Sequence, residues 1–140
     1  MKHLNKITLI DDDQVCHLIS TKIINMFSSF DVESFTDARE ALKEIRWRTS
    51  DQDKKVSEFI LLDIDMPGMN GWQFLEEFEK LPEDIVKKSC VIMLSSSTSY
   101  MDIEKSRHYK SVKQFLSKPL TEEKVNLLTQ YCKNTVSTEK

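Results

Sequence analysis

The sequence predicts an α/β fold, a doubly wound, five-stranded parallel sheet with helices on both faces. Two observations carry this. Short apolar runs recur at long intervals, each ended by polar residues, and the stretches between them place apolar residues at helical spacing. At 140 residues the chain has the size of a single domain with one core. Strands that alternate with helices then pair in parallel through right-handed crossovers.

The first run, Ile7 to Ile10, is aliphatic and closes on three aspartates. The second, Val32 to Phe35, alternates apolar with polar and suits a sheet edge. Phe59 to Leu62 and Cys90 to Leu94 are continuous apolar runs, the pattern of strands buried on both faces. Val112 to Leu116 is a weaker fifth strand. For the first helix the predicted core stripe is Val15, Leu18, Ile19, Ile23, Met26 and Phe27; for the second it is Ala38, Ala41, Leu42 and Ile45. Trp72, Leu75 and Phe78, with Phe74 beside them, mark a third helix. Val125, Leu128 and Cys132, flanked by Leu127 and Tyr131, mark the last. The segment from Tyr100 to His108 is poorly amphipathic, and Ser99 with Asp102 resembles a capping pair at its start. Residues 50–55 and 82–88 read as linker-like returns from helix to strand. The expected domain is 1–134, followed by a polar tail, 135–140, and no effector domain.

Charge and composition exclude several classes of function. Lys and Arg total 20 against 23 Asp and Glu, a net of -3 with no dense basic cluster, so nucleic acid is not the expected direct partner. The apolar run near the start is too short for a signal peptide or a membrane span, and no membrane partner is expected. Cys16, Cys90 and Cys132 are scattered, without a CxxC pair or a histidine at zinc-binding spacing, and read as reduced, mostly interior thiols of a cytoplasmic protein.

In open α/β sheets a ligand lies beyond the carboxyl ends of the strands. The residues there are Asp11, Asp12 and Asp13 after the first strand, Asp63 and Asp65 after the third, Ser95 to Ser97 after the fourth, and Lys118 and Pro119 after the fifth. Strands one, three and four are neighbours in such a sheet, so carboxylates from the first and third face one another. Hard oxygen ligands at a hydrated edge suit Mg2+, which keeps part of its water shell and recruits a phosphate oxygen. Asp13 reads as the N-cap of the first helix. A flavodoxin-type phosphate loop or a GxGxxG dinucleotide turn requires close backbone approach after the first strand. Three carboxylates stand there instead, and the chain has only Gly68 and Gly71. Asp63-Ile64-Asp65 also resembles the Asp-x-Asp pair of haloacid-dehalogenase-type phosphatases. That pair follows the first strand, and Pro67 takes the place of its Thr or Val.

Asp11-Asp12, Asp63, Ser95 and Lys118-Pro119, in this order, resemble the receiver domain of two-component response regulators over about residues 6–134. The run from Leu61 to Gly71 is similar to that family's phosphoacceptor loop. The resemblance implies a CheY-like, flavodoxin-like sheet of order 2-1-3-4-5. It makes Asp63 the phosphoacceptor, and Asp63, Ser95 and Lys118 the catalytic set. Asp12 and Asp63 would hold Mg2+ through their side chains, Asp65 through its backbone carbonyl, and Asp11 mostly through metal-bound water. Ser95 and Phe115 would be the switch pair, and Pro119 would follow a cis bond. Asp65 and Ser97 occupy positions that often tune hydrolysis in the family. Phosphoryl donors would be a sensor histidine kinase or a phosphotransfer protein. Output would pass to a protein target through helix four, strand five and helix five. The resemblance implies a stand-alone switch with self-catalysed phosphoryl chemistry rather than an enzyme, and leaves a phosphorylation-linked dimer open. A phosphorylation-independent scaffold and a Mg-dependent phosphatase are the alternatives.

Overall fold

The computed structural model describes residues 6–50, 59–96 and 99–138, the side chains of 131–138 excepted. Its elements are β1 (Lys6–Ile10), α1 (Gln14–Phe27), β2 (Asp31–Phe35), α2 (Ala38–Thr49), β3 (Phe59–Leu62), α3 (Gly71–Phe78), α4 (Glu83–Lys88), β4 (Cys90–Ser95), α5 (Tyr100–Ser106), β5 (Val112–Ser117) and α6 (Glu122–Thr138). The five strands form one sheet in the order β2-β1-β3-β4-β5, with every pairing parallel. The five strands and their order match the expectation. The strands extend it by single residues at Lys6, Asp31, Ser95 and Ser117.

Period-two alternation divides the central strands between two cores. Ile10, Ile60, Leu62, Val91 and Met93 face α2 and α3, where they pack with Ala41, Ile45, Phe74 and Phe78. Leu9, Phe59, Leu61 and Ile92 face the other way, toward Ile24, Phe30, Val125 and Leu128. Continuous apolar runs are the consequence: residues of both parities are buried.

The stripe predicted for α1 is corrected. Leu18 is 75% exposed, Val15 65%, Met26 61% and Ile19 48%, whereas the buried residues are His17, Ser20 and Ile24. Only Ile23 and Phe27 of the predicted stripe pack, partly buried, on the core. The physical reason is that polar residues on the inward face find partners there. His17 Nε2 bonds the main-chain carbonyl of Asp11, and the Ser20 hydroxyl lies 3.8 Å from the Cys16 sulfur. Hydropathy does not register such contacts.

Residues 83–88 form a helix rather than a linker. Pro82 leads into it with φ -51°, Glu83 and Asp84 occupy its first turn and Lys87 and Lys88 its last. That arrangement suits the helix dipole, and Lys87 pairs with Glu83 at 3.4 Å. Val86 is its buried residue. At α5, Ser99 takes the N-cap position without the side-chain cap bond that the Ser99–Asp102 spacing suggests. The backbone of α6 stays helical to Thr138, through the start of the expected polar tail. Residues 51–55 of the expected linker, Ser97, and the side chains of Tyr131 and Cys132 lie outside the described residues.

Candidate functional site

The site forms where β1, β3, β4 and β5 end together. Main-chain ladders continue one residue past two strands: the Asp11 amide donates to the Phe35 carbonyl at 3.1 Å and the Asp63 amide to the Ile10 carbonyl at 3.0 Å. On the far side the Lys118 amide donates to the Ser95 carbonyl at 2.8 Å. The backbone therefore fixes where these side chains start. Asp13 turns away as expected, its carboxylate accepting the Val15 and Cys16 amides at 2.9 and 3.3 Å to cap α1.

Downstream of Asp63, Gly68 has φ +79°, a left-handed turn that glycine adopts without strain. Gly71 is required for a different reason. A Cβ there would stand 2.5 Å from the carbonyl oxygen of Asp63 itself. Its amide donates to the Ile64 carbonyl at 2.8 Å, and Asn70 with Gln73 closes a capping box that starts α3. The loop after the aspartate is thus folded back tightly against it.

Carboxylate oxygens of Asp11, Asp12 and Asp63 lie within 4.8 Å of one another. Asp11 is 1% exposed and Asp63 7%, while Asp12 is exposed. Lys118 Nζ sits 2.7 Å from Asp11 Oδ2 and 3.5 Å from Asp63 Oδ1. Burial pushes the Asp63 carboxyl up, and the nearby Asp11 charge pushes it further, to about 6 despite the lysine. For Asp11, burial acts upward too. Hydrogen bonds from Lys118 and from the Asp13 amide outweigh it and hold the group below the usual carboxylate range. Burial acts downward on Lys118, but Asp11 and Asp63 reverse that and raise it. Three carboxylates against one ammonium leave a formal excess of two negative charges, the charge of one divalent cation. With donors that are all hard oxygens, the residues present fit Mg2+.

Of the expected metal set, the side chains of Asp11, Asp12 and Asp63 are brought together. The Asp65 side chain is exposed and stands outside that cluster. Ser95 is buried at the end of β4, and Phe115 is half-buried on β5 against the α2–α3 core. The Lys118–Pro119 peptide is cis. Sequence reasoning missed two neighbours, His17 and Cys16. His17 is buried behind Asp11 and bonds its carbonyl. Burial first, and then the Asp11 carboxylate, push the Cys16 thiol up to about 11, so it stays protonated. A signal for His17 exists in hindsight: it stands one turn after the N-cap Asp13, on the face that points back at β1.

The chain matches the family model for the response regulator receiver domain over residues 7–130. No curated protein matches it by sequence. Among solved structures it is similar to a two-component response regulator from Cytophaga hutchinsonii, at 30% identity and a TM-score of 0.86, covering 95% of this chain and 99% of that one. A response regulator receiver protein from Dyadobacter fermentans is 27% identical, with a TM-score of 0.78 and coverage of 92% and 95%. The CheX–CheY–BeF3–Mg complex from Borrelia burgdorferi shares the fold at 22% identity, with a TM-score of 0.71 and coverage of 91% and 88%.

Proposed function

Because the chain belongs to the response regulator receiver domain family, we propose that it is a cytoplasmic, phosphorylation-dependent signalling switch whose phosphoacceptor is Asp63. The observation that carries this reading is the meeting of Asp11, Asp12 and Asp63 at one strand edge with Lys118 between two of them. A carboxylate held among like charges is a poor resting group and a good nucleophile once its neighbours are neutralised.

In the proposed reaction an Asp63 oxygen attacks the phosphorus of a phosphohistidine on a sensor kinase or phosphotransfer protein. The P–N bond breaks, the new O–P bond forms, and the departing imidazole nitrogen takes up a proton. Mg2+, when bound, neutralises charge that gathers on the phosphoryl oxygens during in-line transfer. Lys118 supplies a point positive charge to the same oxygens, and Asp11, Asp12 and Asp63 would hold the cation. Ser95, with its hydroxyl at the end of β4, responds to the phosphoryl group, and Phe115 follows it. The aspartyl phosphate adds charge and acceptor oxygens that bias a two-state equilibrium of the α5–β5–α6 face. That face corresponds to helix four, strand five and helix five of the sequence reading, since α4 is the additional helix. Output passes to a protein partner. Acceptance and loss of the phosphoryl group are self-catalysed, so the chain acts as a switch and not as an enzyme.

Intact mass after incubation with Mg2+ and acetyl phosphate tests this. An added phosphoryl mass that requires Mg2+ and disappears in Asp63→Asn is expected, accompanied by a change in the fluorescence of the buried Trp72. A folded protein with neither adduct nor Mg2+ response would instead be a phosphorylation-independent scaffold.

A further inference from the structure

Thr121 caps α6, its hydroxyl accepting the Lys124 amide at 3.3 Å and its carbonyl the Val125 amide at 2.9 Å. Lys124 therefore stands at the third helical position, where a capping box carries Glu or Gln. An ammonium there opposes the helix dipole, whose N-terminal end is positive. It is compensated outside the helix. Lys124 Nζ reaches back to the Ser117 carbonyl at 2.6 Å, the Pro119 carbonyl at 3.1 Å and the Ser117 hydroxyl at 3.2 Å. These acceptors match the donor capacity of an ammonium, and bonds to a charged donor are the stronger kind.

The two carbonyls flank Lys118. The Lys118 backbone is thus held by Lys124 on both sides and by its own amide to Ser95, while its Nζ lies at 2.7 Å from Asp11 and 3.5 Å from Asp63. A lysine is a point charge on a flexible stem, and its head goes only as far as its backbone allows. Lys124 approaches none of the carboxylates within ion-pairing distance among the described residues.

We infer that Lys124 is a positioning residue for phosphoryl transfer: its ammonium clamps the Ser117–Pro119 backbone and thereby holds Lys118 against the carboxylates. This rests on the function proposed above, and it separates two properties of the site. The cation would be held by Asp11, Asp12 and Asp63 at the β1 and β3 ends, whereas among the described residues the Lys124 ammonium bonds only Ser117 and Pro119. The charge that meets the phosphoryl oxygens comes from the clamped segment.

The test uses the full chain with Lys124→Met, which keeps the stem and removes the charge, and Lys124→Arg, which restores charge and donors. Three quantities are read: the rate of adduct formation from acetyl phosphate by intact mass, Mg2+ affinity, and hydrogen exchange at the Lys118 amide. Misplacement of a reacting group by about 1 Å costs on the order of 100-fold, so a partly loosened lysine is expected to slow Lys124→Met roughly tenfold. Mg2+ affinity should be no weaker, exchange at the Lys118 amide should quicken while β1 and β3 amides stay protected, and Lys124→Arg should recover most of the rate. Wild-type rate and exchange in Lys124→Met would overturn the inference. So would a slower rate accompanied by weaker Mg2+ binding and faster exchange in β1 and β3, which is general destabilisation. If the wild-type chain forms no adduct, the functional reading fails and the role in transfer with it. Exchange at Lys118 would still decide whether the clamp exists.

Discussion

On the β1–β3 side of the site, Asp11 and Asp63 leave strands buried on both faces, and the loop after Asp63 leads into a helix, α3, that buries Gly71, Trp72, Phe74, Leu75 and Phe78. On the β5 side the strand lies at the sheet edge, half-exposed along its length, and its pairing with β4 shifts register between Val91 and Ile92. Its neighbour α5 buries only Ser106 and exposes Tyr100 and Met101 at 73% and 79%. The carboxylates are thus anchored in densely buried elements, while the lysine and the α5–β5 part of the surface that would signal belong to elements with little burial. Little burial means low local stability, which is what a responsive segment needs. The far end of α5 is tethered more firmly. Tyr109 stacks on Trp72 at 5.8 Å, with Lys105 Nζ 4.9 Å from the Trp72 ring, and Ser111 bonds Glu79 through its amide and hydroxyl at 2.7 and 2.6 Å. Movement of α5 would therefore pivot about its C-terminal end.

The largest stability difference between the two sides should come from matched truncations. Phe74→Ala, at a fully buried position, should cost about 3–5 kcal/mol in urea unfolding. Phe115→Ala, half-buried on β5, should cost less than half as much. Equal costs would remove the contrast. Gly71→Ala comes next. The added methyl meets the main chain of Asp63 and Ile64, which cannot step aside, and overpacking of this kind costs about 1–3 kcal/mol. The same variant should slow adduct formation, because the atom it displaces belongs to the phosphoacceptor.

The carboxylates themselves predict a pH signature in the metal-free protein. The Asp63 carboxyl is raised from 3.8 to about 6. Its contribution to stability is complete below 3.8 and is lost as pH rises toward about 6. Asp11, held low, acts in the adjoining window: its contribution is present above its ordinary value of 3.8 and is lost as pH falls below it. Thermal melts across this range should show the fall with rising pH in wild type and lose it in Asp63→Asn. Added Mg2+ should oppose the fall by binding the ionised form. The smallest effect is expected on the outer face of α1. Leu18→Lys, at a position 75% exposed, should change unfolding free energy by no more than about 0.5 kcal/mol. A cost of several kcal/mol would reinstate the core stripe that hydropathy suggested.

That stripe shows where a one-dimensional reading stops. The central strands were legible because burial on both faces leaves apolar runs, the edge strand β2 because its residues alternate, and the strand ends because chemistry gathers there. In α1 the same logic chose the wrong face, since His17 and Ser20 are inside with partners supplied by Asp11 and Cys16. At 82–88 a charged stretch concealed a helix whose charges follow its dipole and whose single anchor is Val86.

The sequence by itself determined the five-stranded parallel sheet, the place of each strand end to within one residue and the residue types that meet there, because alternation, periodicity and the order of Asp11, Asp12, Asp63, Ser95 and Lys118 are written along the chain. Only the tertiary structure decided the distances among the carboxylates, the raised Asp63, the Asp11–Lys118 pair and the hold of Lys124 on the segment around Lys118. Those depend on elements far apart in the chain, and desolvation and Coulomb interaction exist only once folding has brought them within a few ångströms.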